Sequence, residues 1–84
     1  MPEEKIGIVT GYFSKIGVAV IKITSGSLKI GDEIHIKGHT TDFSQRVESM
    51  QISNQPVNEV KVDDEFGLKV NDRVRRNDEV FKVT

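Results

Sequence analysis

The chain has 84 residues and a formal net charge of −1, with 12 Lys and Arg against 13 Asp and Glu and no cysteine. That length holds one domain, residues 1–84, which buries only about 60–65% of the surface its unfolded chain exposes, so its core must be compact. The missing cysteines exclude disulfides, thiolate metal sites and cysteine nucleophiles, and the near-neutral charge is not that of a general polyanion binder.

Val and Ile supply most of the apolar residues, and β-branched side chains suit pleated, half-buried strands. Turn signals recur every eight to twelve residues or so, the spacing of an all-β sandwich or barrel. A first strand is predicted from Lys5 to Phe13, with Ile6, Ile8 and Thr10 on one face and Gly7, Val9 and Gly11 on the other. Ser14 to Gly17 then turns into a second strand, Val18 to Ile23, apolar on nearly both faces. Such a strand is either covered by another layer or open to a partner.

After a loop at Thr24 to Ser27, Leu28 and Ile30 are expected to plug the end of the core. Gly31-Asp32 leads to a third strand, Glu33 to Lys37, with Ile34 and Ile36 inward and His35 and Lys37 outward. A fourth strand follows from Phe43 to Ser53, where Val47, Met50 and Ile52 break strict alternation and call for a bulge near Ser49. Pro56 lacks an amide proton and is expected to end the pairing there. Phe66 to Val70 and Glu79 to Val83, separated by a turn at Asn77-Asp78, complete six strands. No helical period, internal repeat, linker or low-complexity segment stands out. Closure removes the exposed edges that make small sheets aggregate, so the expected fold is a small closed, six-stranded, antiparallel-rich β-barrel.

Gly26 and Gly31 have the spacing of the two glycines of a phosphate-binding loop. That motif needs Lys and Ser/Thr directly afterwards, and Asp32 and Glu33 stand there instead, two carboxylates that would repel a nucleotide. His35, His39 and Asp42 form a conceivable two-histidine, one-carboxylate metal set, but a pair of solvated histidines is the simpler reading. No serine sits in a nucleophile elbow, and no carboxylate has the apolar flanks that would raise its pKa for acid catalysis. We therefore expect no catalytic, cofactor, nucleotide or metal residues.

The segment Gly38 to Asp42 is the one least explained by folding. His39, Thr40, Thr41, Asp42, Gln45 and Arg46 offer more donors and acceptors than a turn requires. The competing reading is a turn whose threonines and aspartate cap their own backbone. Near the C-terminus an acidic stretch gives way to Lys69, Arg73, Arg75 and Arg76. Arginine's planar fork suits phosphates and carboxylates, so these residues join the loop as a candidate partner-binding set.

Several segments together resemble the domain 2 β-barrel of translational GTPases such as elongation factor Tu. They are Ile6-Gly7-Ile8-Val9-Thr10-Gly11, Gly17-Val18-Ala19-Val20, Gly26-Ser27-Leu28-Lys29-Ile30-Gly31-Asp32, Val47-Glu48-Ser49-Met50 and Phe66-Gly67-Leu68-Lys69-Val70. The resemblance implies the barrel fold and contact with RNA or a ribosome-associated protein, although the GTPase domain has no counterpart here. A related barrel forms the C-terminal domain of collagenase-like U32 peptidases, which implies instead an accessory module that meets a protein partner in trans. Asp63-Asp64-Glu65 and Asn77-Asp78 stand where the translation-factor pattern often has glycine turns. The charged start, Met1 to Lys5, has no apolar leader region, and no run approaches a membrane span. A cytoplasmic binding module without membrane contact is the resulting expectation.

Overall fold

A computed structural model describes residues 3–83. They form ten strands and no helix: β1 (Glu3–Phe13), β2 (Val18–Ile23), β3 (Ser27–Lys29), β4 (Glu33–Lys37), β5 (Asp42–Arg46), β6 (Met50–Ile52), β7 (Gln55–Val57), β8 (Glu59–Lys61), β9 (Glu65–Lys69) and β10 (Glu79–Val83). Eight make one antiparallel sheet in the order β5-β4-β10-β1-β2-β9-β6-β7, and β3 pairs with β8 as a separate ribbon. The all-β expectation holds, but six strands become ten. The sheet order is open, with β5 and β7 at its two ends, rather than a ladder closed on itself.

The long β1 serves both halves of the sheet, pairing with β10 near its start and with β2 towards its end. Its register shifts between Lys5 and Gly7 and again between Val9 and Gly11. These irregularities correct the simple two-face assignment: Ile6 and Val9 are both buried, while Ile8 and Thr10 are half-buried. At Gly7 the neighbouring strand comes so near that a Cβ would lie 2.6 Å from the Lys22 carbonyl oxygen.

The predicted fourth strand is in fact two, β5 and β6, joined by Val47-Glu48-Ser49, so a break replaces the expected bulge. Pro56 does not end the pairing. Ser53 and Asn54 turn at φ 52° and 65°, as a two-residue hairpin with the favoured twist demands, and Pro56 pairs with Gln51. In such a hairpin the pair next to the turn is hydrogen-bonded and the following pair is not, so the missing N–H costs no ladder bond. The proline also lies on an edge strand, where it is tolerated.

A repeat absent from the strand-by-strand reading emerges from the turns. Leu28-Lys29-Ile30-Gly31-Asp32-Glu33-Ile34, Val60-Lys61-Val62-Asp63-Asp64-Glu65-Phe66 and Val74-Arg75-Arg76-Asn77-Asp78-Glu79-Val80 share one pattern and one geometry. In each, the aspartate N–H donates to the carbonyl of the basic residue three positions earlier, at 3.1, 2.9 and 3.1 Å. The aspartate carboxylate in turn accepts that basic residue's N–H, at 3.0, 2.9 and 2.8 Å. The residue before each aspartate has positive φ: Gly31 at 97°, Asp63 at 74° and Asn77 at 77°. Asp63 and Asn77 thus perform the glycine's task, as the residues that best tolerate the left-handed region. Each turn launches a sheet strand and is preceded by a core residue, Leu28, Val60 or Val74.

The core is one cluster built from the sheet strands together with the β3–β8 ribbon, which supplies Leu28 and Val60. Leu28 is fully buried there, as expected of a plug, whereas Ile30 is 38% exposed and plugs nothing. Phe66, the largest buried side chain, belongs to the core cluster and is the cross-strand partner of Ile21 on β2. Burying each such side chain contributes about 1.5–3 kcal/mol before entropy is counted.

Candidate functional site

Two loops meet beyond the ends of β4 and β9. The first, residues 38–41, joins β4 to β5, and Gly38 N–H donates to the Thr41 carbonyl at 2.7 Å. The main chain therefore holds this turn, and Thr41 is buried in it. The second, residues 70–78, runs from β9 to β10. Its Asp78 is buried, and a Cβ on Gly38 would collide with the Asp78 carboxylate, so glycine lets the two loops touch.

Gln45 ties the same loops from the β5 side. Its amide nitrogen donates to the Lys69 carbonyl at 2.9 Å, and its amide oxygen accepts from Asn71 N–H at 2.7 Å. This buried carboxamide joins the end strand β5 to the chain leaving β9, where no ladder does so.

Between the loops is a cleft of about 390 Å³ lined by Thr40, Thr41, Asp42, Phe43, Asp72, Arg73 and Arg75. It brings together residues more than thirty positions apart in sequence. Among the described residues, neither the Arg73 nor the Arg75 guanidinium has a carboxylate within 4.0 Å. Asp72 caps its own neighbour, accepting from Arg73 N–H at 2.7 Å.

The other members of the predicted set lie elsewhere. His39 lines a separate hollow with Lys37, Asn77, Glu79 and Phe81. Arg46 is exposed on β5 opposite Glu33, and Arg76 is turned towards the first strand, its Nε donating to the Thr10 carbonyl at 3.1 Å. Gln45 is a structural tie and not a partner-facing group.

On the outer face of β4, His35 bridges two carboxylates. Its Nδ1 lies 2.8 Å from Glu3 Oε2 and its Nε2 is hydrogen-bonded to Asp42 Oδ1, with Phe81 beside the ring. The bond to Asp42, and secondarily that to Glu3, raises the His35 pKa against the opposing effect of burial. The same bond to His35 lowers the pKa of Asp42. His35 and His39 do not converge, and no group of three or more His, Asp or Glu among the described residues is disposed to hold a metal ion.

A second concavity, about 340 Å³ and more apolar, lies across β2 and β9. Gly11, Val20, Gly67, Gln51 and Pro56 are successive cross-strand partners there. The two glycines leave a shallow trough beside Val20, and the adjoining turn carries Phe13 and Ile16 at 56% and 63% exposure. Phe13, Ile16, Asp72 and Phe43 escaped the site reading. For the first two the signal was present in sequence, as large apolar residues flanking a polar turn.

No protein-family model matches the chain. Curated relatives do: a collagenase of Porphyromonas gingivalis is 39% identical over 72 residues, 84% of this chain. The uncharacterized protease MJ0090 of Methanocaldococcus jannaschii is 40% identical over 78 residues, 92% of this chain. The chain is homologous to one part of these proteins. It spans only about a fifth of their length, 20% and 19% respectively. Among solved structures, the C-terminal domain of a Geobacillus thermoleovorans protein described as a U32 peptidase superposes with a TM-score of 0.89. The match covers 96% of this chain and 93% of that domain at 20% identity, which establishes a shared fold.

Proposed function

We propose that this chain is a non-catalytic accessory module that docks onto the body of a U32-type peptidase. One observation carries the reading: about 40% identity along nearly the whole chain, confined to a fifth of two proteases. A segment so placed is a complete fold attached to a much larger machine. Phe13, Ile16, Val18 and Val20 around the trough supply the kind of exposed apolar face that marks an interaction site. Gly67, which adds no side chain beside Val18, keeps this face shallow enough for another surface to approach. The finer description of the fold, a barrel of the elongation factor Tu domain 2 type sealed at its seam by Gln45, belongs to the same proposal.

Contact with RNA or a ribosome-associated protein has less support. Arg73 and Arg75 share their cleft with Asp42 and Asp72, Arg76 is turned to Thr10, and the net charge is −1. The test uses the Porphyromonas gingivalis collagenase expressed without its matched 72 residues. Mixed with this chain, it should co-elute on size exclusion, with nuclease having no effect, and Phe13→Asp with Ile16→Asp should abolish co-elution from a folded module. If the collagenase's own excised segment rebinds and this chain does not, the reading fails.

A further inference from the structure

Asp42 belongs to two structures at once. It lines the cleft across from Arg73 and Arg75, and it accepts a hydrogen bond from His35, whose other ring nitrogen faces Glu3 at 2.8 Å. A neutral imidazole has a single N–H, so between two carboxylates one of its nitrogens would present a lone pair to an oxygen. Only the doubly protonated, cationic ring donates to both. The remaining charged groups around it are otherwise engaged or offset. Lys5 of β1 and Glu79 of β10 pair with each other at 2.8 Å. Glu33 and Lys37 flank His35 on β4, and Arg46 lies beyond Ser44, its direct partner on β5.

We propose that the cleft binds a peptide carboxylate through Arg73 and Arg75, and that His35 governs the affinity by holding Asp42 out of competition for them. With His35 charged, the Asp42 carboxylate is committed to the ring, and Arg73 and Arg75 line the cleft with no ion pair to either guanidinium. With His35 neutral, Asp42 loses its hydrogen-bonded cation and keeps only the weaker influence of Lys37, its cross-strand partner, so more of its negative charge acts at the same wall. It then repels an incoming carboxylate and competes with it for the arginines. One unit of charge at such range in a partly screened site changes affinity on the order of fivefold. The half-buried Phe43 and the small volume suit a single side chain or chain end against an apolar wall. Asp42 and Asp72 disfavour a run of phosphates. The inference is separate from docking on a peptidase body, for which the trough on β2 and β9 is the assigned surface.

The probes are two short peptides, one acetylated and amidated with a central Glu, the other acetylated with a free C-terminus. Each is compared with its amide counterpart by amide-resonance titration at pH 5.5 and pH 8. At least one carboxylate peptide should shift Thr40, Phe43 and Arg73 resonances, about fivefold more tightly at the lower pH. Whichever of the two binds identifies the source of the carboxylate. His35→Gln should erase the pH difference, and Arg73→Ala with Arg75→Ala should erase binding without changing the melting temperature. Equal behaviour of carboxylate and amide peptides, or a pH difference that survives His35→Gln, would overturn the proposal. So would tighter, salt-sensitive binding of an oligouridylate at the same resonances.

Discussion

Gln45 shows how one side chain substitutes for a missing strand pairing. Its carboxamide satisfies the Lys69 carbonyl and the Asn71 N–H, and it is itself buried. Gln45→Ala leaves two backbone groups without partners, an expected loss of about 1–3 kcal/mol. Chemical denaturation monitors it, and an unchanged midpoint would show that water replaces the amide without cost. His35 sets a pH dependence of the opposite sense to an ordinary paired carboxylate. Its folded pKa is raised above the ordinary value of 6.5, so its contribution is complete below that value and is lost as pH rises through the folded pKa. Asp42 has a lowered pKa, and its contribution is present above its ordinary value of 3.8 and fades only as pH falls through the lowered one. Melting temperature should therefore decline from mildly acidic to alkaline pH, and His35→Gln should remove that decline.

The three equivalent turns are the clearest case of an element specified locally. Each combines a basic residue, a position of positive φ and an aspartate whose carboxylate closes the turn. The first uses Gly31, while the other two place Asp63 and Asn77 in the same region. Transferring the glycine, as Asp63→Gly or Asn77→Gly, relieves the left-handed strain and increases unfolded-state entropy. The net change is expected between zero and a gain of about 1 kcal/mol, and a clear loss would mean those side chains do more than tolerate the turn. The β3–β8 ribbon shows the converse dependence on packing. Leu28 is fully buried beneath it, and Leu28→Ala should cost roughly 2–5 kcal/mol by thermal or chemical denaturation. A shift too small to detect would assign the sealing of that end to Val60 instead.

At the scale of the whole molecule the sheet is a scaffold for differently made concavities, among them one charged between loops and one apolar across strands. Far-ultraviolet circular dichroism of the isolated chain should show strand and turn signals without helix, and a substantial helical signal contradicts the fold. The strands at Val18–Ile23, Glu33–Lys37 and Glu79–Val83 were legible in the sequence to the residue, the first two because Ala19, Ile21 and Ile23, and Ile34 and Ile36, alternate as buried positions. The all-β class and the buried Leu28 followed from the same local rules. So, in principle, did the threefold turn, whose pattern is printed in the residues though it shows itself only once the hydrogen bonds are seen. The faces of β1 and the break between β5 and β6 were not legible, because register shifts depend on what the neighbouring strand presents. Pro56 was misread for a related reason: whether a missing N–H matters depends on which side of the hairpin it faces. The candidate site divides along the same line. Sequence singled out Thr40, Thr41, Asp42, Arg73 and Arg75 by their chemistry, but only the closure of Gly38 against Asp78 sets them in one cleft. Tertiary structure alone buried Gln45 against the chain leaving β9 and brought Glu3 to the His35–Asp42 pair, because those contacts join segments far apart in sequence, Glu3 reaching β4 only across β10.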